Sequence, residues 1–495
     1  MSNLYKEAEQ FLSSNGKEGS LQNRIFSASK NKRIKTNPKH IFALVLSTLK
    51  YKSYLLEIIK KSQLLKLEKQ VRETQALLLV HDLLLSKSGR IQMGKTPLKE
   101  SILKHKTRLT AEFTKLKLKH KVKNLSELIE EDDTPVRWFR VNTIKAKKDD
   151  VIEKYFSELE EVTSVDQIEL GTIYHDIYVP NLFGVHPKEK ITTSIPYQKG
   201  QIIIQDRASC FPAYILNPTK NDKIIDACAA PGNKTTHLAA HVQNCPNSIN
   251  AFERDIRRSK ILKTMIDKAG ASASVTVNVG DFTQASPSDF EDVTGLVVDP
   301  SCSGSGIFGR AYDEENPQEA YSEERLEKLS SFQFSIVKHA LSFKNAKKVV
   351  YSTCSIHAQE NERVVVDLLN DKKVQSLGWR VANRSRVLPN WPRRGFVEEF
   401  NTFANPEQIA GGCVRALPKV DGGIGFFAVL FERDSDLSES QSTNNENKVS
   451  TNEEDQQNKV TETEDEDIDR DAFEEINDTQ DSEDEKYEEW NGFDD

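Results

Sequence analysis

Ile224-Ile225-Asp226-Ala227-Cys228-Ala229-Ala230-Pro231-Gly232-Asn233-Lys234-Thr235-Thr236 is the stretch that sets the architecture. Two apolar residues and Asp226 read as the end of a short strand, Pro231-Gly232 as a tight turn, and Asn233 onward as a helix. A strand, a glycine turn and a helix N-terminus together suit a nucleotide-like ligand, because the free helix amides and a close backbone can approach it. Neither GxGxxG nor GxxxxGK[ST] is present, so the stretch places a ligand without naming it. Short apolar runs follow at Lys223–Ala227, Ile249–Glu253, Val275–Val279, Leu296–Asp299 and Lys348–Tyr351. Helical patterns such as Thr235–Val242 and Ile256–Lys268 lie between them. That alternation predicts an α/β fold with a Rossmann-like, mostly parallel sheet, and Gly423–Phe431 reads as a late strand.

In a parallel sheet the strand C-termini converge on one crevice, so the residues just past each run are the candidates for chemistry. Glu253 closes the second run about 20 residues beyond the glycine turn, where a carboxylate can bond ribose hydroxyls. Arg258 follows on the next helix, and Asp281 closes Val279-Gly280-Asp281-Phe282. The fourth run ends in Asp299-Pro300-Ser301-Cys302-Ser303-Gly304-Ser305-Gly306, the fifth in Tyr351-Ser352-Thr353-Cys354-Ser355-Ile356-His357. One buried cysteine is ordinarily a small hydrophobe. Two at adjacent strand ends beside an aspartate point to a thiolate nucleophile. His357 lies only three residues past Cys354, which disfavours a cysteine-hydrolase arrangement.

Outward from this core the chain changes character. The 495 residues carry a formal net charge of −8, which would argue against an anionic partner. The charge is segregated, however. Residues 1–125 hold 27 Lys/Arg and 9 Asp/Glu, a net of +18. Residues 126–433 hold 37 and 42, a net of −5, and residues 434–495 hold 4 and 25, a net of −21. The head is helix-like, with Leu, Ile and Val at helical spacing in Ile41–Leu65 and Leu67–Leu85. Basic clusters fall at Arg24, Lys30, Lys32, Arg33, Lys35 and Lys39, and at Lys115, Lys117, Lys119, Lys121 and Lys123. Such charge supplies sequence-independent affinity for nucleic acid, or else merely solvates a helical bundle. Asp132–Phe156, with extended Val136–Asn142 and a helix from Lys148, joins strand-like Thr172–Val179 and Ile202–Gln205 in a small α+β module. The acidic tail cannot bury enough apolar surface to offset its ordering entropy and is expected to be disordered. The expected division is a basic helical RNA-binding head (1–125), an α+β RNA-recognition module (126–210), a catalytic domain (211–433) and the tail (434–495). No run of about 18 apolar residues predicts a membrane span. The six cysteines, with no CxxC pair, fit neither a disulfide scaffold nor a metal site.

Cys-Ala-Ala-Pro-Gly-Asn-Lys (Cys228–Lys234), Asp299–Gly306 and Tyr351–Ser355, in this order, resemble the motifs of the Nop2/Sun family, S-adenosylmethionine-dependent RNA cytosine-5 methyltransferases. Arg140–Lys145 (RVNTIK) and Ile202–Ser209 (IIIQDRAS) resemble elements that precede the catalytic domain there. The resemblance covers about 132–433. DPSC in place of DAPC, and GNK in place of GGK, resemble the fifth branch, whose eukaryotic members methylate large-subunit rRNA. The resemblance implies a class I methyltransferase sheet. It implies that Cys228, Ala229, Ala230, Pro231, Gly232, Asn233, Lys234, Glu253, Arg258, Asp281 and Asp299 hold S-adenosylmethionine. It implies Cys354 as the nucleophile and Cys302 as the residue assisting enzyme release, with Asp299 also near the base. Large-subunit rRNA or a pre-ribosome would be the partner, and the nucleolus the location. Two other readings stay open on sequence: a non-catalytic pre-rRNA assembly factor, and a DNA cytosine-5 methyltransferase. The latter would place its nucleophile in a Pro-Cys pair, which Ser301 interrupts here.

Overall fold

A computed structural model describes residues 3–12, 21–86, 88–128, 134–307 and 321–433; the expected disorder of the tail lies outside them. The head is built of helices at Asn3–Leu12, Leu21–Lys30, Pro38–Lys50, Lys52–Lys61, Leu64–Leu67, Glu73–Leu84, Pro97–Lys104 and Lys106–Lys119. The single helical pattern expected over Ile41–Leu65 is divided. Tyr51 leaves helical geometry (φ −101°, ψ 8°) and Gln63 adopts a left-handed conformation (φ 57°). Neither break carries a Gly or Pro, so tertiary packing, not local sequence, turns the chain. Gln75 through Leu83 are buried without interruption, so this helix is the centre of the bundle. Its Asp82 accepts from the Tyr5 hydroxyl, which in turn accepts from the Gln92 amide at 2.7 Å.

The small module is a five-stranded sheet: β1 (Arg137–Val141), β2 (Glu160–Val162), β3 (Thr172–His175), β4 (Leu182–Val185) and β5 (Ile202–Ile204), in the order β2-β3-β4-β1-β5. The strand expected to run to Val179 stops at His175. Asp176 turns the chain there, accepting from the Val179 amide at 2.9 Å and pairing with Arg207.

The larger sheet comprises β6 (Ile224–Asp226), β7 (Ile249–Glu253), β8 (Val275–Val279), β9 (Gly295–Val298), β10 (Lys348–Thr353), β11 (Arg380–Val381), β12 (Cys413–Ala416) and β13 (Phe426–Glu432). Its order is β11-β13-β10-β9-β6-β7-β8, with β12 also on β13. Strands β6 to β10 are mutually parallel, and β13 runs antiparallel to β10 from Lys348↔Glu432 to Thr353↔Phe427. Every residue of β9 and all but the first of β10 are buried, as a strand covered on both faces requires. The chain leaves β6 in one direction to β7 and β8, and returns to β9 on its other side. Strand order therefore reverses between β6 and β9, and the crevice at a reversal opens beyond the carboxyl ends.

The module is fastened to this sheet by polar anchors. Trp138 Nε1 donates to Gly422 O at 2.7 Å, and Asn142 Nδ2 to Ala269 O at 2.8 Å. Arg207 sits among the rings of Trp138, Tyr178 and Trp391, at 4.6, 5.4 and 5.3 Å, and donates to Asp421 O at 3.1 Å. Among the described residues no helix is long and apolar enough to cross a membrane, and no cluster of His, Cys, Asp and Glu could hold a metal ion.

Candidate active site

All the strand-end residues singled out by sequence lie along the carboxyl edge of β6 to β10. The glycine turn begins the site. Gly232 has φ 115°, in the region L side chains rarely adopt, and caps the helix Asn233–His241. A Cβ added there would sit 3.1 Å from both Leu262 Cδ1 and Met265 Cβ. Thr235 Oγ1 on the first helical turn donates to Asp226 Oδ2 at 2.7 Å, tying the helix to its strand. Burial pushes Asp226 up to about 6, against the pull of the Thr235 hydroxyl and Lys234. The Ala229 amide donates to Phe252 O at 2.9 Å, which binds the loop to β7.

Arg258 does not face solvent alone. Its Nη2 donates to Ala230 O at 2.8 Å, and its Nη1 lies 3.6 Å from Glu253 Oε2. Glu253 is buried, with Oε1 accepting from the Asp255 amide at 2.9 Å. Arg258 thus links the glycine loop to the carboxylate that ends β7. Asp281 is partly exposed and accepts from the Thr283 amide and hydroxyl at 2.9 and 2.7 Å. Cys228 packs at the start of the loop, and burial pushes its thiol well above the ordinary range. That marks it as a protonated packing residue.

Two loops carry the strand-end cysteines. Cys302 Sγ and Cys354 Sγ are 3.1 Å apart, well beyond the ~2.05 Å of a disulfide and within reach of an S–H···S hydrogen bond. Asp299 stands between this pair and the glycine loop. Its Oδ1 accepts from Ser352 Oγ at 2.6 Å, and its Oδ2 pairs with Lys234 Nζ at 2.7 Å. Burial acts to lower Lys234, but the charge of Asp299, its hydrogen bond and the charge of Cys354 outweigh it, and Lys234 keeps its proton.

Sequence reasoning missed the supports of these loops. Glu360, fully buried, accepts from Ser303 N at 2.8 Å, Ser303 Oγ at 2.5 Å and Gln333 Nε2 at 3.0 Å. Asn361 bridges the other loop, accepting from Thr353 Oγ1 at 2.5 Å and donating to Ser355 O at 2.9 Å. The serines of SCSGSG and STCS were the visible signal: Ser303 and Ser305 both reach Ser355, at 3.3 and 3.2 Å. His357 is half-buried beside Tyr321 at 5.3 Å, and burial pulls it below its usual value.

The crevice fits S-adenosylmethionine in its donor set: a glycine turn whose place a Cβ would crowd, two strand-end carboxylates for ribose and adenine, and a charged pair leading to the thiols. Gly232→Ala is expected to weaken S-adenosylmethionine binding about ten-fold by titration calorimetry. The left-handed backbone and the contact with Leu262 and Met265 must both be relieved by moving the loop.

A parallel sheet with this reversal, an antiparallel strand beside β10 and a ligand crevice at its carboxyl edge define a class I methyltransferase fold. The paired thiols lie at that edge, 3.1 Å apart. Family models match three successive parts of the chain. They are the N-terminal domain (39–129) and ferredoxin-like domain (135–205) of NOL1/NOP2/Sun domain family member 5, and the 16S rRNA methyltransferase RsmB/F (213–431). The 25S rRNA (cytosine-C(5))-methyltransferase rcm1 of Schizosaccharomyces pombe is 44% identical, over 86% of this chain and 90% of its own. The 28S rRNA (cytosine-C(5))-methyltransferase of Mus musculus is 36% identical, over 87% and 91%. The crystal structure of PH0851 shares the fold, with a TM-score of 0.59 at 20% identity, over 87% of this chain and 98% of that one. The chain belongs to the NOL1/NOP2/Sun family, in the branch of member 5.

Proposed function

We propose that this protein methylates carbon 5 of a cytosine in large-subunit rRNA, with Cys354 as nucleophile and Cys302 assisting release. The observation that carries the reading is the 3.1 Å sulfur pair beside Asp299 and Lys234 at the reversal of the sheet. S-adenosylmethionine, when bound, supplies the methyl group. Carbon 5 of cytosine is a poor nucleophile until a thiolate adds to carbon 6 and makes it enamine-like. Cys354 would form that carbon–sulfur bond. Carbon 5 then takes the methyl group, a base removes the carbon-5 proton, and the Cys354–carbon 6 bond breaks to restore the ring and the thiol. Cys302 would serve that last stage. Asp299, with one oxygen on Ser352 and the other on Lys234, would meet the amino edge of the base. Lys234 and the Cys228–Gly232 loop, with Glu253, Arg258 and Asp281, would hold the donor. The target base must be unstacked to enter.

The cofactor-binding domain lies in the near-neutral stretch of the chain, and the basic head is the part suited to grip phosphates. The head has its own apolar core, from Tyr5 to Leu125, while Lys30, Lys32, Arg33 and Lys35 stay exposed. Its charge is partly used internally: Lys115 pairs with Glu112 at 2.8 Å and Lys119 with Glu57 at 3.3 Å. Replacing Lys30, Lys32, Arg33 and Lys35 by Gln is expected to weaken rRNA-fragment binding. It should also flatten the slope of log K against log salt by about 0.7–0.9 per lost phosphate contact, measured by fluorescence anisotropy. A pre-ribosomal substrate supports a nucleolar location. Methyl transfer from labelled S-adenosylmethionine to unmodified large-subunit rRNA tests the whole reading; no transfer by the wild-type chain overturns it.

A further inference from the structure

The two thiols are close to symmetric in distance but not in surroundings. Cys302 is flanked through Ser303 by Glu360, whose carboxyl oxygens hold both the backbone amide and the hydroxyl of that serine. Gln333 completes the cradle by donating to Glu360 Oε1 and to Ser301 O, at 3.0 and 3.1 Å. The Tyr351 hydroxyl donates to Glu360 O at 2.5 Å. The loop on either side of Cys302 is therefore clamped. On the other side, Lys234 pairs with Asp299 at 2.7 Å, and the charge of Cys354 is one of the groups that keep it protonated. Serine contacts between the loops lock the clamp to Cys354: Ser303 and Ser305 both meet Ser355.

We propose that Glu360 is a positioning residue that assigns the two cysteine roles, fixing Cys302 as the sulfur that carries the proton and leaving Cys354, on the Lys234 side, as the anion. The groups that face Cys302 are Cys354, Glu360, Asp299 and Tyr351, with Lys234 beyond Asp299. The Cys302 thiol is held well above its ordinary range, first by its hydrogen bond to Cys354, then by burial, then by the charges of Cys354, Glu360 and Asp299. On this assignment the proton shared across the 3.1 Å contact belongs to Cys302, with Cys354 as its acceptor. The same arrangement changes its own chemistry during turnover. When Cys354 bonds to carbon, its sulfur becomes a neutral thioether, and the hydrogen-bond acceptor and the charge that retained the Cys302 proton both go. Cys302 can then lose its proton to solvent, and the resulting thiolate accepts the carbon-5 proton as the Cys354–carbon 6 bond breaks and Cys354 leaves as thiolate. The residue that resolves the adduct becomes basic only after the adduct exists.

This assignment rests on the methyl-transfer reading of the site, but its test needs neither RNA nor donor. The full chain is treated with limiting iodoacetamide from pH 6 to 10, and labelling at each cysteine is followed by peptide mass spectrometry. Alkylation follows the thiolate. Cys354 is expected to label first in the wild type. In Glu360→Gln the ratio of Cys302 to Cys354 labelling is expected to rise about ten-fold, equivalent to about one pH unit in the thiol titration. Glu360→Asp, which keeps the charge, is expected to retain the wild-type pH dependence. Lys234→Met is expected to lower Cys354 labelling about ten-fold at neutral pH, which tests the charge asymmetry even where Glu360→Gln does not fold. Prior labelling of Cys302 in the wild type, or an unchanged ratio in folded Glu360→Gln, overturns the proposal. A purely structural role for Glu360 would not move the pH profile of two thiols in opposite directions. Either failure leaves the methyl-transfer assay to stand or fall separately.

Discussion

Cys354→Ala is expected to abolish methyl transfer, by roughly 10⁴-fold or more, and with it any covalent protein–RNA species. Cys302→Ala is expected to allow the first bond to form and then to stall, so that an adduct accumulates as a slow-migrating band on denaturing gels. The two sulfurs lie in different loops: Cys354 directly follows β10, whereas Cys302 sits in the loop beyond β9, whose Ser303 is gripped by Glu360. Full activity in Cys354→Ala would sink the covalent mechanism. The absence of a trapped band in Cys302→Ala would remove that residue from the release stage. Comparing growth and ribosome profiles of a Cys354→Ala strain with those of a deletion also separates catalysis from any assembly role of the same protein.

The second large effect concerns stability. Glu362 and Arg415 form a fully buried bidentate pair, with Arg415 Nε donating to Glu362 Oε1 at 2.6 Å. Glu362 also accepts from the Phe396 amide at 3.0 Å. Arg415 reaches back to Ile356 O at 3.0 Å, just past the Cys354 loop, and lies 3.8 Å over the Phe396 ring. Removing one partner leaves the other charge buried and unpaired, which costs about 3–5 kcal/mol. Arg415→Met is therefore expected to lower the urea midpoint sharply. The double variant Glu362→Leu/Arg415→Met is expected to recover much of the loss, since no orphan charge remains. Tryptophan fluorescence is the suitable probe, because Trp138, Trp379, Trp391 and Trp490 all lie outside the basic head. Equal destabilisation in the single and double variants would contradict the orphan-charge account.

The short apolar runs announced β9 and β10 most clearly, because strands covered on both faces are predominantly apolar. The Pro231-Gly232 turn announced the helix that follows. β11 and β12 were not legible: one has two residues and the other four, too short for a period-2 pattern to register. Arg207 shows the same limit from another side. In sequence it is one basic residue in QDRAS; in the fold it is an anchor among rings drawn from Trp138 to Trp391. Glu360 and Arg415 are as silent, because a buried charge is recognised only by its partners, and these lie 57 and 53 residues away.

Residue order alone established the α/β fold, the glycine turn between strand and helix, and the two strand-end cysteines, since each depends on local periodicity or on a motif of a few residues. It also resolved the net charge of −8 into a basic head, a near-neutral middle and an acidic tail. The 3.1 Å approach of the two sulfurs, the link from Lys234 through Asp299 to Ser352, and the clamp of Glu360 on the Cys302 loop came only with the tertiary structure. Residues distant in sequence become neighbours when parallel strands end at one edge. The field at each thiol is set by those neighbours, so the proposed division of labour between two like cysteines is a property of the assembled sheet.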